Sequence, residues 1–343
     1  MEKEGLGFPW EGETQLFASE VPPQEEKYLC MDVETTPTEI CFSSPRLVRG
    51  QNSPYSSQES QFACWDTSLK GFLPGLGRAL PVDSSETWTW QWLPRGVLYR
   101  AYFASNKESR LGIHFVHESE EKKEYWDPIL GGRIPLVRFG NTSALYPEGF
   151  QLDIEGAALA RLTLDHEREL WGTDYRFGAP LTFRKGAWEA KFGYYHISSH
   201  LGDEKLVRDY QNTGIVYRRN YVRDALMLGI AFRPDANWRF YFGFDYAFYT
   251  DDGAEPWQFE LGAEYSPILL PSLQGSPFLA VHLRWSEENN YHIYTAFEVG
   301  WQWKTLYQQT CRTGLYLMSG PADQYQYYNS HENQIGYGFW YDF

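Results

Sequence analysis

His196-Ile197-Ser198 and Asp224 are the residues whose types and spacing could carry chemistry. A serine hydroxyl becomes a nucleophile when an imidazole takes its proton and a third group orients that imidazole. On a β-strand, residues two apart share a face with Cα atoms about 6.6 Å apart, so His196 and Ser198 would point the same way. A neighbouring strand about 4.8 Å away can present the orienting acid, and Asp224 falls in register for that role. His200 continues the same face one step further along.

These residues need strands to position them, and alternation dominates the chain from about residue 110 onward. The clearest segment is Trp238 to Phe248. Trp238, Phe240, Phe242, Phe244, Tyr246 and Phe248 share one face, while Arg239, Tyr241, Gly243, Asp245 and Ala247 share the other. On 150–162, Phe150, Leu152, Ile154, Ala158, Ala160 and Leu162 oppose Gln151, Asp153, Glu155 and Arg161. The segments 257–265 and 291–303 repeat the pattern. A soluble β-sandwich also alternates, but its strands run about 5–6 residues and its buried face is Leu-rich and β-branched. Strands of about 10–13 residues with Trp and Tyr at their ends are long enough to cross a bilayer when tilted. The fold class expected is therefore all-β: an antiparallel transmembrane β-barrel of about twelve strands, an even number. Pro180 sits awkwardly in it, because proline in a paired strand loses a ladder hydrogen bond.

Composition agrees. Of 343 residues, 18 % are aromatic and 22 % charged, and mean hydropathy is −0.52. A wall that meets lipid on one face and a polar lumen on the other reconciles those figures. A net charge of −15 and a pI near 5.0 exclude a nucleic-acid partner, which requires a basic surface. No run of about 18 apolar residues occurs, so no helical span is expected. Residues 1–95 carry Pro22-Pro23, a Ser/Pro/Gln-rich stretch from Ser43 to Ser60 and no sustained period. They read as an irregular extension in the periplasm or plugging the lumen, with the barrel proper at 96–343. Trp88, Trp90 and Trp92 alternate at its end and fit an edge strand or an interfacial anchor. Met1-Glu2-Lys3-Glu4 opens no apolar leader, so a secretory leader is expected outside the numbered chain. Cys30, Cys41, Cys64 and Cys311 show no metal-ligand spacing, and disulfides among the first three are compatible with an oxidising compartment.

The chain ends Ile335-Gly-Tyr337-Gly-Phe339-Trp-Tyr341-Asp-Phe343. This resembles the terminal strand by which bacterial outer-membrane barrels are recognised, which implies the outer membrane as location and the barrel-insertion machinery and outer-membrane lipids as partners. With that strand descending to the periplasm, strand 188–199 rises, 200–220 is an outer loop and 221–232 descends. Trp188, Ala190, Phe192 and Tyr194 face lipid, and so do His196, Ser198 and His200. Opposite them, Leu226, Leu228, Ile230 and Phe232 face lipid, as do Asp224, Val222 and Asn220. Polar groups on the lipid side are costly unless they pair or work.

His196-Ile197-Ser198 is similar to the His-x-Ser element of outer-membrane phospholipase A and of the lipid A deacylases. That resemblance implies His196 as base, Ser198 as nucleophile, and Asp224 or Asn220 in the orienting position. The families continue with Asn after the serine, whereas this chain has Ser199-His200, which unsettles the oxyanion arrangement. The phospholipase resemblance alone also implies calcium, for which Asp203 and Glu204 could supply oxygen ligands. Over most of residues 90–343 the chain further resembles a bacterial outer-membrane-type barrel family known as domain of unknown function 1207. The stretches that carry this resemblance include Trp92-Leu-Pro-Arg-Gly-Val-Leu-Tyr99, Pro147-Glu-Gly-Phe-Gln-Leu-Asp-Ile-Glu-Gly156, His200-Leu-Gly-Asp-Glu204 and Tyr249-Thr-Asp-Asp-Gly-Ala-Glu-Pro-Trp257. It implies a barrel and no activity.

Three functions fit: a barrel of unassigned role whose rim residues meet lipid headgroups, a lipid-face serine acyl ester hydrolase, and a narrow pore. The mixed-sign lumen set, Asp153, Glu155, Arg161, Asp174, Arg176, Glu189, Lys191, Arg223, Arg239, Asp245, Glu260, Glu264 and Glu298, favours a salt-bridged filling over an open channel. Thr250-Asp251-Asp252-Gly253 reads first as a turn.

Overall fold

The structure is a computed structural model and describes residues 87–343, except His166 and Tyr217. The extension expected over 1–95 therefore lies, up to residue 86, outside the described residues, as do Cys30, Cys41 and Cys64.

The strands are β1 (Thr89–Trp92), β2 (Leu111–Glu118), β3 (Lys123–Gly140), β4 (Gly149–Thr163), β5 (Leu170–Lys185), β6 (Trp188–Leu201), β7 (Val222–Phe232), β8 (Trp238–Asp251), β9 (Trp257–Tyr265), β10 (Ser276–Ser286), β11 (Tyr294–Lys304), β12 (Thr310–Pro321) and β13 (His331–Asp342). Each pairs antiparallel with the next from β2 onward, and β13 pairs with β2 from Gln334–Glu118 to Tyr341–Leu111. The result is a closed antiparallel barrel of twelve strands with β1 as an extra strand. Closure leaves the ring without an edge, so its backbone groups pair within the wall. We call the rim that carries the β6–β7 connection the upper rim and the rim near Phe343 the lower one.

The alternation sorts as expected. Phe240 and Phe242 are 45 % and 43 % exposed on the outside, while Arg239 and Tyr241 on the same strand are buried inside. Aromatic and aliphatic residues cover the outer face on the other strands too, including Phe177, Phe192, Leu226, Ile230, Leu315 and Phe339. An apolar surface this continuous calls for lipid rather than water. Pro180 is accommodated by a break in one ladder: β4–β5 pairing runs to Leu152–Leu181 and resumes at Glu155–Gly178, so the missing N–H falls in the gap. On its other side Pro180 lies opposite Gly193, where a side chain would collide with the proline backbone.

Strand β3 explains how the interior is filled. One of its edges is taken by β4; β2 pairs with Lys123–Leu130 and β1 with Val137–Gly140 on the other. The chain thus leaves the wall after Trp92 and rejoins it at Leu111. In between, Val97–Arg110 is buried apart from the half-buried Ala101. This segment has no regular structure, so its carbonyls need other donors. Lumen arginines supply them: Arg133 donates to the Tyr99 carbonyl at 3.0 Å, Arg239 to Arg100 at 3.1 Å and Arg312 to Phe103 at 3.1 Å, and Arg138 donates to Gly96 just before the segment at 2.8 Å. Tyr102 stacks on Tyr241 with ring centroids 3.8 Å apart. The interior segment falls within the range assigned above to the barrel, where its lack of alternation was the one available signal.

The lumen charges pair as a network. Arg133 meets Asp153 at 2.8 Å, Arg161 meets Asp127 and Glu332 at 2.7 Å each, and Arg176 meets Glu155 at 3.1 Å. Glu189 gathers Arg239 at 3.0 Å, Arg184 at 3.8 Å and Arg233 in a short bond. A cavity among Lys107, Glu108, Lys191, Asp245 and Glu260 measures only about 10 Å³, roughly one water. Replacing Glu189 by Gln would leave three buried guanidiniums without their shared carboxylate. We expect a loss of about 3–5 kcal/mol of stability, read from urea unfolding followed by tryptophan fluorescence in lipid vesicles, against under about 1.5 kcal/mol for the outward Phe242→Leu. Equal losses would contradict this account of the interior.

Candidate functional site

The upper rim between β5, β6 and β7 holds the residues singled out by type and spacing. His196 lies directly opposite Asp224 in the β6–β7 register, and Ser198 lies opposite Val222. All three face outward, with the His196 and Asp224 side chains 36 % and 21 % exposed. His196 Nδ1 is 2.9 Å from Asp224 Oδ1. A carboxylate only accepts, so this contact takes its proton from Nδ1, and in that tautomer of the neutral ring Nε2 is the lone pair. Tyr194 completes the group: its hydroxyl donates to the same Asp224 oxygen at 2.5 Å.

The backbone around Asp224 is not a plain ladder. The β7–β8 register shifts between Asp224 and Ala225, with Asp224 opposite Tyr249 and Ala225 opposite Ala247. Phe248 is the extra residue of this bulge, and both it and Tyr249 are exposed on the outside. The Phe248 ring lies 6.2 Å from that of Tyr194. A bulge re-aims side chains and often borders a site.

The other expected residues are placed differently. Ser198 is on the right face, but no hydrogen bond joins it to His196 among the described residues. Asn220 precedes β7 and turns toward the β8–β9 connection, its backbone N–H donating to Asp252 at 2.5 Å and its amide to Asp251 at 3.4 Å. It is not near His196 in register, whereas Asp224 lies directly against the imidazole. The outer loop expected over 200–220 contains a helix, α1 (Asp203–Thr213), with two acidic residues in its first turn and Gly214 closing it in the left-handed region at φ 70°. Glu204 of that helix accepts the Leu170 N–H at 2.7 Å. Calcium needs about 6–8 oxygen ligands, and no group of three or more His, Cys, Asp or Glu is placed to hold a metal among the described residues. Asp203 and Glu204 are the acidic residues of the first turn of α1, and Glu204 is already engaged with the Leu170 N–H. Thr250–Gly253 forms the expected turn, with Asp252 and Gly253 at φ 45° and 98°.

A pocket of about 470 Å³ opens just above Ser198, lined by Leu170, Thr173, Tyr175, His200, Leu201, Gly202, Asp203 and Glu204. Tyr175 is the register partner of Ser198 across β5–β6, and its ring meets His200 edge-on at 5.6 Å. Neither this pocket nor the role of Tyr194 shows in the alternation, which counts Tyr194 simply as part of the apolar face.

The family model described as "Protein of unknown function (DUF1207)" matches residues 80–343. The chain belongs to this family. No curated protein matches it. Among solved structures, the DUF1207 chain is similar to outer membrane phospholipase A from Escherichia coli, at 15 % identity and a TM-score of 0.44 over 68 % of this chain and 90 % of that one. It is similar to a Salmonella typhi outer membrane phospholipase dimer with bound calcium at 16 % identity and 0.43, again over 68 % and 90 %. A KdgM porin matches at 11 % identity and 0.37 over 68 % of this chain and 99 % of that one.

The tautomer is open to measurement. Nitrogen-15 spectra of histidine-labelled protein in micelles should show His196 protonated at Nδ1, and Asp224→Ala should abolish that preference. A His196 signal indifferent to Asp224 would refute the pairing.

Proposed function

We propose that this DUF1207 protein is an outer-membrane barrel whose outward upper rim carries a serine acyl ester hydrolase of Ser198, His196 and Asp224. The observation that carries the reading is the His196 Nδ1–Asp224 Oδ1 contact of 2.9 Å on the lipid-facing side, with a serine two residues along the same face. The apolar outer belt supports a membrane location, and the aromatic outer face of β13 is in keeping with insertion by outer-membrane machinery.

The chemistry follows from the tautomer. His196 Nε2 takes the Ser198 proton as Oγ bonds to the acyl carbonyl carbon of a membrane lipid, and the carbonyl π pair moves to its oxygen. That pair returns, the ester C–O bond breaks, and the leaving alkoxide receives the proton from His196. Water then repeats the cycle on the acyl-serine and releases a fatty acid. Asp224, held by Tyr194, keeps Nδ1 protonated and stabilises the imidazolium.

A second reading has its own observation. Ser198 is not bonded to His196, which suits a rim network of Tyr194, Asp224 and His196 that only contacts headgroups. The filled lumen favours neither of these, but it weighs against the pore.

Refolded protein in mixed micelles should release fatty acid from phospholipid or lipid A. Ser198→Ala should abolish release, and Asp224→Ala should lower it on the order of 10³–10⁴-fold, the scale of losing an orienting acid. Release that survives in Ser198→Ala removes the nucleophile; none from wild type with any lipid leaves the headgroup-contact reading. Planar-bilayer conductance tests the pore.

A further inference from the structure

The row Tyr194, His196, Ser198, His200 climbs the outer face of β6 toward water, and the 470 Å³ pocket lies at its top. Below it the outer face is apolar, through Phe192, Leu226 and Phe177. A lipid lying against this face with its ester at Ser198 therefore places its acyl chain along the lower residues. Its polar headgroup points up, into the pocket. Two strand steps, about 6.6 Å, separate Ser198 from His200, a span on the scale of a glycerol ester and its headgroup phosphate.

The lining decides which headgroup fits. Its polar residues are Asp203, Glu204, Thr173, Tyr175 and His200, with no lysine or arginine among the lining. Glu204 is engaged with the Leu170 N–H, whereas the exposed Asp203 makes no ion pair among the described residues. A pocket lined by acidic and aromatic residues with no basic one favours an ammonium over the several phosphates of a phosphorylated glucosamine lipid. Imidazole and hydroxyls can donate to a phosphodiester next to that ammonium. The volume is in the range of small-ligand pockets.

We propose that this pocket is the headgroup subsite of the lipid face and that it takes a glycerophospholipid with an ammonium-bearing headgroup, phosphatidylethanolamine, with Asp203 facing the ammonium. The assignment rests on the hydrolase reading for its substrate role, but binding can be tested apart from turnover.

The full chain carrying Ser198→Ala is purified in detergent with a chelator present throughout, and its retained lipid is weighed by native mass spectrometry in phosphatidylethanolamine against phosphatidylglycerol. We expect phosphatidylethanolamine to be retained in preference by roughly threefold or more, the scale of a partly exposed ion pair. Asp203→Asn should bring the ratio toward one, and Asp203→Lys should invert it; both variants are checked for the heat-modifiable gel shift of a folded barrel. Equal retention of the two lipids, or a preference untouched by both variants, overturns the subsite. If the preference holds but wild-type protein releases no fatty acid from phosphatidylethanolamine, the hydrolase reading fails and the binding site stands. If wild type hydrolyses both lipids and the preference is absent, the hydrolase stands and the subsite falls.

Discussion

The buried arginines of the lumen are what the rest of this barrel depends on. This twelve-strand ring is filled with a segment, Val97–Arg110, that has no helix or strand to satisfy its own backbone. Arg133, Arg138, Arg239 and Arg312 each reach from the wall to one of the carbonyls in or beside that segment. Arg133, Arg239 and Arg312 also pair with acids: Arg133 with Asp153, and Arg239 and Arg312 with Glu189, Glu264, Glu298 and Asp342. The mixed-sign lumen is thus a solvent for an irregular chain, with wall arginines aimed at its carbonyls.

The same arginines guard the point of closure. Asp342, at the end of β13, meets Arg312 at 2.7 Å and Arg110 at 3.3 Å, the latter being the last residue of the interior segment before β2 begins. The seam where the first and last wall strands pair is tied from inside by the segment that β2 continues. Phe343 lies against the wall beside it: a side chain added at Gly132 would meet its ring at 3.2 Å. In that position Gly132 leaves room for the terminal aromatic ring.

The wall was legible in the residues because two-fold periodicity maps directly onto two faces. Phe240, Phe242 and Phe244 alternate with Arg239, Tyr241 and Asp245, and each lands on the side its polarity demands. The His196–Asp224 pairing was legible for the same reason, since faces and strand direction bring them into register. What lay beyond reach has no period. Val97–Arg110 is positioned by long-range bonds to strands far along the chain. Asn220 is claimed by Asp251 and Asp252 across a turn, and Tyr194 looks like one more belt aromatic until its hydroxyl finds Asp224. The bulge at Phe248 breaks the alternation by one residue, which a periodic reading continues straight through.

The two faces of β6 are coupled at one step of the strand. Ser198 points out toward lipid, and Ser199 points in, where its hydroxyl donates to Asp174 in a short bond. Asp174 also receives Lys107 from the interior segment at 2.6 Å and the Tyr325 N–H from the last upper connection at 3.3 Å, while Gln326 donates to the Ser199 carbonyl at 2.9 Å. An exposed polar row on a lipid face has little of its own to fix it, because lipid packs loosely and offers no directional bonds. Here the directional bonds come from behind. The interior segment, β5, β6 and the 322–330 connection converge on the residue next to Ser198, so the backbone that presents Ser198 and His196 is set by the lumen rather than by the surface they face. A barrel with an open channel would lack that anchor, which gives the filled interior a reason beyond excluding ions.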